Sequence, residues 1–152
     1  MTESADLNLP PKLNEILETL DLFPDRADRI QALISLAERF EPVPESIAPK
    51  PYPEARRVKA CESEAYLWVL PQEDGTVQLH FAVENPQGVS AMALAVILRD
   101  GLSGLDAETV AGVPCDVVYR VFGKELSMGK SMGLMGMVNG VAAEARRLGG
   151  ES

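Results

Sequence analysis

Two hydrophobic rhythms run along the chain, one close to a helical turn and one of period two, and the places where one replaces the other mark the elements. Leu13, Ile16, Leu17 and Leu20 fall at i, i+3, i+4 and i+7 behind Pro10 and Pro11. Proline is tolerated in a first turn, so a short amphipathic helix begins there. Asp21 to Asp25 carries a proline turn, after which Asp25 is placed to cap a second helix with Ile30, Leu33, Ile34, Ala37 and Phe40 as its apolar positions. Arg26, Arg29, Glu38 and Arg39 form its opposite, solvated face, and the two helices are expected to make a hairpin. The helical rhythm then stops. Glu41 to Glu54 contains Pro44, Pro49, Pro51 and Pro53 with Tyr52 its one aromatic residue. Such a stretch cannot continue a helix and reads as a tether crossing the surface, its P-x-x-P spacing being too common to mark a ligand for a proline-binding domain.

Period two follows. Glu64 to Leu70 is rich in β-formers with both faces apolar, which suits a strand covered on both sides. Asp74-Gly75 is a turn, and Thr76 to Glu84 alternates with Val77, Leu79, Phe81 and Val83 on one face and Thr76, Gln78, His80 and Glu84 on the other. The pair reads as an antiparallel hairpin, with the sole histidine, His80, on its polar face. Asn85-Pro86-Gln87-Gly88 breaks the sheet. Val89 to Leu98 is apolar all round and predicts a buried helix ended by Arg99, Asp100 and Gly101. Asp106 is placed to cap a short helix to Ala111, and Pro114 and Gly123 bracket another through Cys115 and Phe122. A last helix starts between Ser127 and Ser131 and runs to Leu148, with Leu134, Met137, Val138, Val141, Ala145 and Leu148 as its core stripe. Gly129, Gly133, Gly136 and Gly140 recur on it at spacings that let another backbone come close, and Met128, Met132 and Met135 read first as core filling, second as a soft partner surface.

Charge narrows the field. The chain of 152 residues carries 14 basic and 23 acidic side chains, a net charge of −9, without a basic cluster to grip phosphates. Nucleic acid is therefore not an expected partner. No apolar run is long enough to span a bilayer and residues 1–8 show no secretion signal, so a cytoplasmic protein is expected, its two cysteines free thiols. Two cysteines and one histidine are too few for an ordinary zinc site.

Chemistry then concentrates on one thiol. Cys61 sits in R-R-V-K-A-C-E-S-E-A-Y, between the proline-rich stretch and the first strand, at a loop entering a sheet. Arg56, Arg57 and Lys59 favour its thiolate while Glu62 and Glu64 oppose it, so the local sum is near neutral and strong activation in the free protein is not expected. Cys115, by contrast, shares an i, i+3, i+4, i+7 stripe with Val118, Tyr119 and Phe122, the pattern of a buried, inert thiol.

Two local patterns in this order resemble the SufE family. One is Val58, Cys61, Glu62, Ser63 and Tyr66; the other is Leu126, Ser127, Lys130, Gly133, Leu134 and Met137, with Leu98 and Asp100 between them. The resemblance covers Leu13 to Ala145, with Ala60, Tyr66 and Lys130 standing where the family usually has glycine, tryptophan and arginine. It implies a single α+β domain over residues 1–152, a small antiparallel sheet flanked by helices in a SufE/IscU-like arrangement; residues 1–9, ahead of the first periodic stretch, are expected to be flexible. It further implies a sulfur-acceptor protein rather than a stand-alone enzyme. Cys61 would take persulfide sulfur from a pyridoxal-phosphate cysteine desulfurase of the SufS type, stimulate that enzyme, and relay sulfur to an iron–sulfur scaffold complex of the SufBCD type. The protein itself would hold no cofactor and no metal, and would be a monomer. Arg57, Lys59, Glu62 and Lys130 are the candidate partner contacts.

Two other readings of the residues stand beside this one. In the first, Cys61 is a redox thiol forming a sulfenic acid that Cys115 resolves. In the second, the chain is a non-catalytic interaction module and Cys61 is core.

Overall fold

The computed structural model describes residues 9–59, 63–123 and 126–149. Among them are six α-helices and two strands: α1 Pro11–Leu20, α2 Arg26–Ala37, β1 Ala65–Pro71, β2 Val77–Val83, α3 Val89–Leu102, α4 Ala107–Ala111, α5 Val117–Phe122 and α6 Met128–Leu148. This is the expected α+β arrangement, a small antiparallel sheet flanked by helices. β1 and β2 pair from Ala65 opposite Val83 to Pro71 opposite Val77. That register sends Leu67, Val69, Val77, Leu79 and Phe81 inward onto α3 and α6, where they join Leu13, Leu17, Leu94, Ile97, Leu98, Met137 and Val141 in the main core. No helix among the described residues is long and apolar enough to cross a membrane.

Helix packing explains two of the sequence features. α1 buries Leu13, Leu17 and Leu20, and where it crosses α3 a Cβ on Gly101 would stand 2.9 Å from the Leu13 Cα. Only glycine admits that approach, so Gly101 serves the packing rather than ending the helix: α3 is not terminated by Arg99, Asp100 and Gly101 as expected but runs to Leu102, with Gly101 and Leu102 both buried. On α6, a Cβ at Gly140 would stand 2.8 Å from Leu67 Cδ2, and one at Gly136 would stand 3.1 Å from Val58 Cγ1. Gly136 and Gly140 are thus the footprint of the sheet and of the chain leading into it, whereas Gly129, expected to admit a close approach, is not: a Cβ there would meet nothing within 4 Å.

Several expectations are corrected. The proline-rich stretch is not a mere tether: Val43 and Ala48 are buried with Tyr66, Trp68 and Ala82 in a second cluster on the outer face of the sheet. Tyr52 completes it, its ring centroid 5.1 Å from that of Tyr66 and 5.4 Å from that of Trp68. Val43 N–H also donates to Phe81 O at 2.9 Å, so the stretch covers part of the free edge of β2. Both faces of β1 are apolar because both are covered.

Arg29 is not on a solvated face. Its guanidinium is half-buried and donates to the carbonyls of Leu20, Arg120 and Val121, tying α2 to the ends of α1 and α5. Asp25 stands at the N-cap of α2 without a side-chain hydrogen bond there, whereas Asp106 does cap α4, accepting from Thr109 N–H. Ile30 and Leu148, expected in the core, are exposed. So are Met128 and Met132, which are not core filling.

Candidate functional site at the cysteine loop

The loop that carries Cys61 is closed by a short pairing before β1 proper. Val58 N–H donates to Ala65 O at 2.8 Å and Arg57 bridges Tyr66 in antiparallel fashion, so the two arms of the loop are paired at its base. The first arm is seated on α6: Val58 is buried, and a Cβ at Gly136 would meet the Lys59 carbonyl at 3.3 Å. The second arm is held by the chain leaving β2. Glu64 O accepts from Glu84 N–H at 3.1 Å and Ser63 O accepts from Asn85 N–H at 3.1 Å. Glu64 itself has φ of 56°, left-handed backbone that a non-glycine residue adopts at a cost of about 1 kcal/mol. The two arms of the loop are therefore held by pairing on both sides.

Cys61 and Glu62 lie outside the described residues, as does Ala60. Lys59 and Ser63 are the described residues on either side of Cys61, each two positions from it in the sequence.

On the Ser63 side is a small cavity of about 50 Å³ lined by Ser63, Gln87, Gly88, Ser90, Lys130 and Leu134, with Gly129 and Gly133 at its α6 wall. It joins the two sequence signatures, whose nearest members, Tyr66 and Leu126, are 60 positions apart in the chain. Ser127 makes this possible by capping α6, its hydroxyl accepting from Lys130 N–H at 3.2 Å, which fixes the first turn and places exposed Lys130 at the cavity rim. Gln87, Gly88 and Ser90 were not singled out by sequence. The segment was legible only as a sheet breaker, and its contact with Ser63 depends on β2 and α3 meeting beside the loop.

On the Lys59 side the charges are unequal. Arg56 is committed to α6, its Nη1 3.3 Å from Glu144 Oε1, and Glu144 Oε2 also accepts from Arg147 Nη1 at 3.0 Å. Arg57 and Lys59 are exposed and make no ion pair among the described residues. Arg57 and Lys59 are therefore brought together on one side of the loop, Lys130 on the other.

The remaining titratable candidates stand elsewhere. His80 pairs with Trp68 well down the hairpin and lines a separate cleft with Phe40, Glu41, Gln78 and Arg99. It is half-buried rather than freely exposed, and burial, followed by the Arg99 charge, holds its imidazole below the ordinary histidine range. Cys115 is half-buried, not fully buried, and precedes α5 instead of lying within it; its Sγ is 4.0 Å from Asp116 Oδ1.

The family model described as "SufE: Fe-S metabolism associated domain" matches residues 14–145. The chain belongs to the SufE family. Among solved structures, this SufE protein is similar to one titled as the solution structure of a hypothetical protein from Thermus thermophilus, with a TM-score of 0.72 and 30% identity over 91% of this chain and 96% of that one. No curated protein matches it significantly. The matched range spans both signatures and every element from α1 to the penultimate turn of α6. Membership associates the protein with Fe–S metabolism, and the cysteine loop is where its elements bring the two signatures together.

Proposed function

We propose that this SufE protein is the sulfur acceptor of a pyridoxal-phosphate cysteine desulfurase, with Cys61 as the residue that takes the sulfur. The observation that carries the reading is the convergence of Ser63 from the first signature and Lys130, Gly133 and Leu134 from the second around one cavity beside the Cys61 loop. The Cys61 thiolate attacks the outer sulfur of the donor's cysteine persulfide. A new S–S bond forms at Cys61 as the donor's S–S bond breaks, the donor cysteine leaves as a thiolate, and the persulfide proton travels with the transferred sulfur. No external oxidant or reductant is needed. The acceptor must be reachable and deprotonated at that moment. With Arg56 tied to Glu144, Arg57, Lys59 and Lys130 are the cations beside the loop without an ion pair among the described residues, opposed by Glu62 and Glu64, so the thiolate depends on the docked partner. From Cys61 the sulfur passes to an iron–sulfur scaffold complex, in the cytoplasm, with this chain acting as a monomer.

The test is desulfurase turnover. Addition of the wild-type chain raises the rate of alanine release from cysteine under reducing conditions, and Cys61→Ser abolishes that stimulation while Cys115→Ser retains it. Stimulation that survives in Cys61→Ser would remove the acceptor role; stimulation lost in Cys115→Ser would favour a two-thiol redox cycle.

A further inference from the structure

The first arm of the cysteine loop and α6 enclose an open groove of about 300 Å³, with Arg57, Val58 and Lys59 on one wall and Asn139, Ala143 and Glu144 on the other. Its floor is closed, because Val58 and Leu67 fill the space over Gly136 and Gly140. Its one lining carboxylate is spent: Glu144 is held by Arg56 and Arg147. Arg29, Arg39, Lys50, Arg99 and Arg120 each face a carboxylate at 3.9 Å or less; Arg57 and Lys59 face none among the described residues, as is true of Lys12, Lys130 and Arg146, and they are the two such cations that share one groove. On a chain of net charge −9 this groove rim is a local excess of unpaired positive charge.

We propose that the groove docks an extended acidic segment of the protein that donates sulfur to Cys61, an inference that rests on the sulfur-acceptor reading. Charge complementarity identifies the occupant, since acidic side chains meet the two unpaired cations at the rim. From Gly136 to Glu144 the helix rises about 12 Å, the length of about four residues of extended chain. Asn139 is exposed, and its amide makes no hydrogen bond among the described residues, leaving donors and an acceptor for a peptide backbone. A long nucleic acid would meet the repulsion of the whole acidic chain; a short acidic peptide meets only the cationic rim. Lys59 is two residues from Cys61, so a segment held here brings its protein to the acceptor loop.

Ala143 is exposed on the α6 wall, and both glutamate and lysine are good helix formers, so opposite charges can be placed in the groove without disturbing the fold. The experiment is titration calorimetry of the cognate cysteine desulfurase with the wild-type chain, Ala143→Glu and Ala143→Lys at low salt, with persulfide loading of Cys61 measured in parallel. Ala143→Glu is expected to weaken binding about tenfold, and Ala143→Lys to bind as tightly as wild type or more tightly, the gap narrowing as salt is added. Equal affinity of all three, or equal weakening by both substitutions, overturns the acidic occupant, the latter because bulk rather than charge decides. If the wild-type chain neither binds the desulfurase nor accepts sulfur, the acceptor reading falls and takes this proposal with it. If sulfur is accepted normally while the charge series is flat, only the docking proposal falls.

Discussion

A Cβ placed on Gly88 would stand 2.8 Å from the Cβ of Ser63, so the residue before α3 and the second arm of the cysteine loop are in backbone-to-side-chain contact. The backbone of Gly88, at φ −81° and ψ 53°, is open to other residues; the restriction is spatial. Gly88→Ala must displace Ser63, or Val83 on its other side, whose Cγ1 would be 2.9 Å away. Overpacking of this kind costs about 1–3 kcal/mol. The expected outcome is a lowered urea midpoint together with slower persulfide loading of Cys61; an unchanged midpoint and rate would show that the loop arm is not held by this contact.

Arg29 joins three helix ends through carbonyls that no other side chain serves among the described residues. Replacing it by methionine keeps much of the stem's packing but takes the side-chain donor from the Arg120 and Val121 carbonyls and leaves the Leu20 carbonyl with the Phe23 N–H alone. Charge-assisted bonds of this type contribute about 2–3 kcal/mol. Arg29→Met is expected to lose that much in chemical denaturation, and Arg29→Lys to lose nearly as much, because an ammonium cannot span the three acceptors. A surface arginine would give a change within experimental error.

His80 sets a pH dependence whose sign is fixed by the direction of its shift. Burial and Arg99 favour the neutral ring in the folded state, while Glu41, on the same cleft, and Asp100, paired with Arg99 at 3.2 Å, only moderate that charge. The folded imidazole therefore titrates below the unfolded one. Its contribution to stability is complete above the unfolded value of about 6.5 and is lost as pH falls from there through the folded value, since the unfolded chain binds the proton first. As the sole histidine, it gives one imidazole resonance to follow. The midpoint is expected below that of a free histidine peptide, and the stability of wild type relative to His80→Gln is expected to decline as pH falls below about 6.5. A midpoint above the peptide value would reverse the assignment.

Tyr52 stands edge-on to the only tryptophan, Trp68, and tilted against Tyr66. Aromatic pairs of this geometry contribute about 0.5–1.5 kcal/mol each beyond area burial. Tyr52→Ala is expected to shift the Trp68 emission to the red and to lower stability by about 2 kcal/mol. Unchanged emission would return the proline-rich stretch to the role of a surface tether.

Periodicity made the helices and the hairpin legible because Leu13, Leu17 and Leu20, or Val77, Leu79 and Phe81, report one buried face each. It failed where burial came from segments without a period. Val43 and Ala48 are spaced by prolines, so the second cluster left only an indirect trace, the apolar outer face of β1. Arg29 looked solvated because composition does not reveal carbonyls presented by other helix ends. Gly101 looked like a helix stop because its close approach to α1 is a property of the packing. At the site, the two signatures were readable, as was the close approach at Gly136, but their meeting across one cavity required the fold, as did the pairing of Arg56 with Glu144 that sets it apart from Arg57 and Lys59. The Met128 and Met132 side chains were assigned to the core on residue type alone, and they lie on the outer side of α6.

The central claim is tested most directly by intact-protein mass spectrometry after the chain is mixed with a cysteine desulfurase and free cysteine, followed by peptide mapping without reductant. The account predicts a gain of one sulfur atom on the peptide carrying Cys61, present in Cys115→Ser and absent in Cys61→Ser. A protein that gains no sulfur and leaves desulfurase turnover unchanged, or one that carries the sulfur on Cys115, would contradict it.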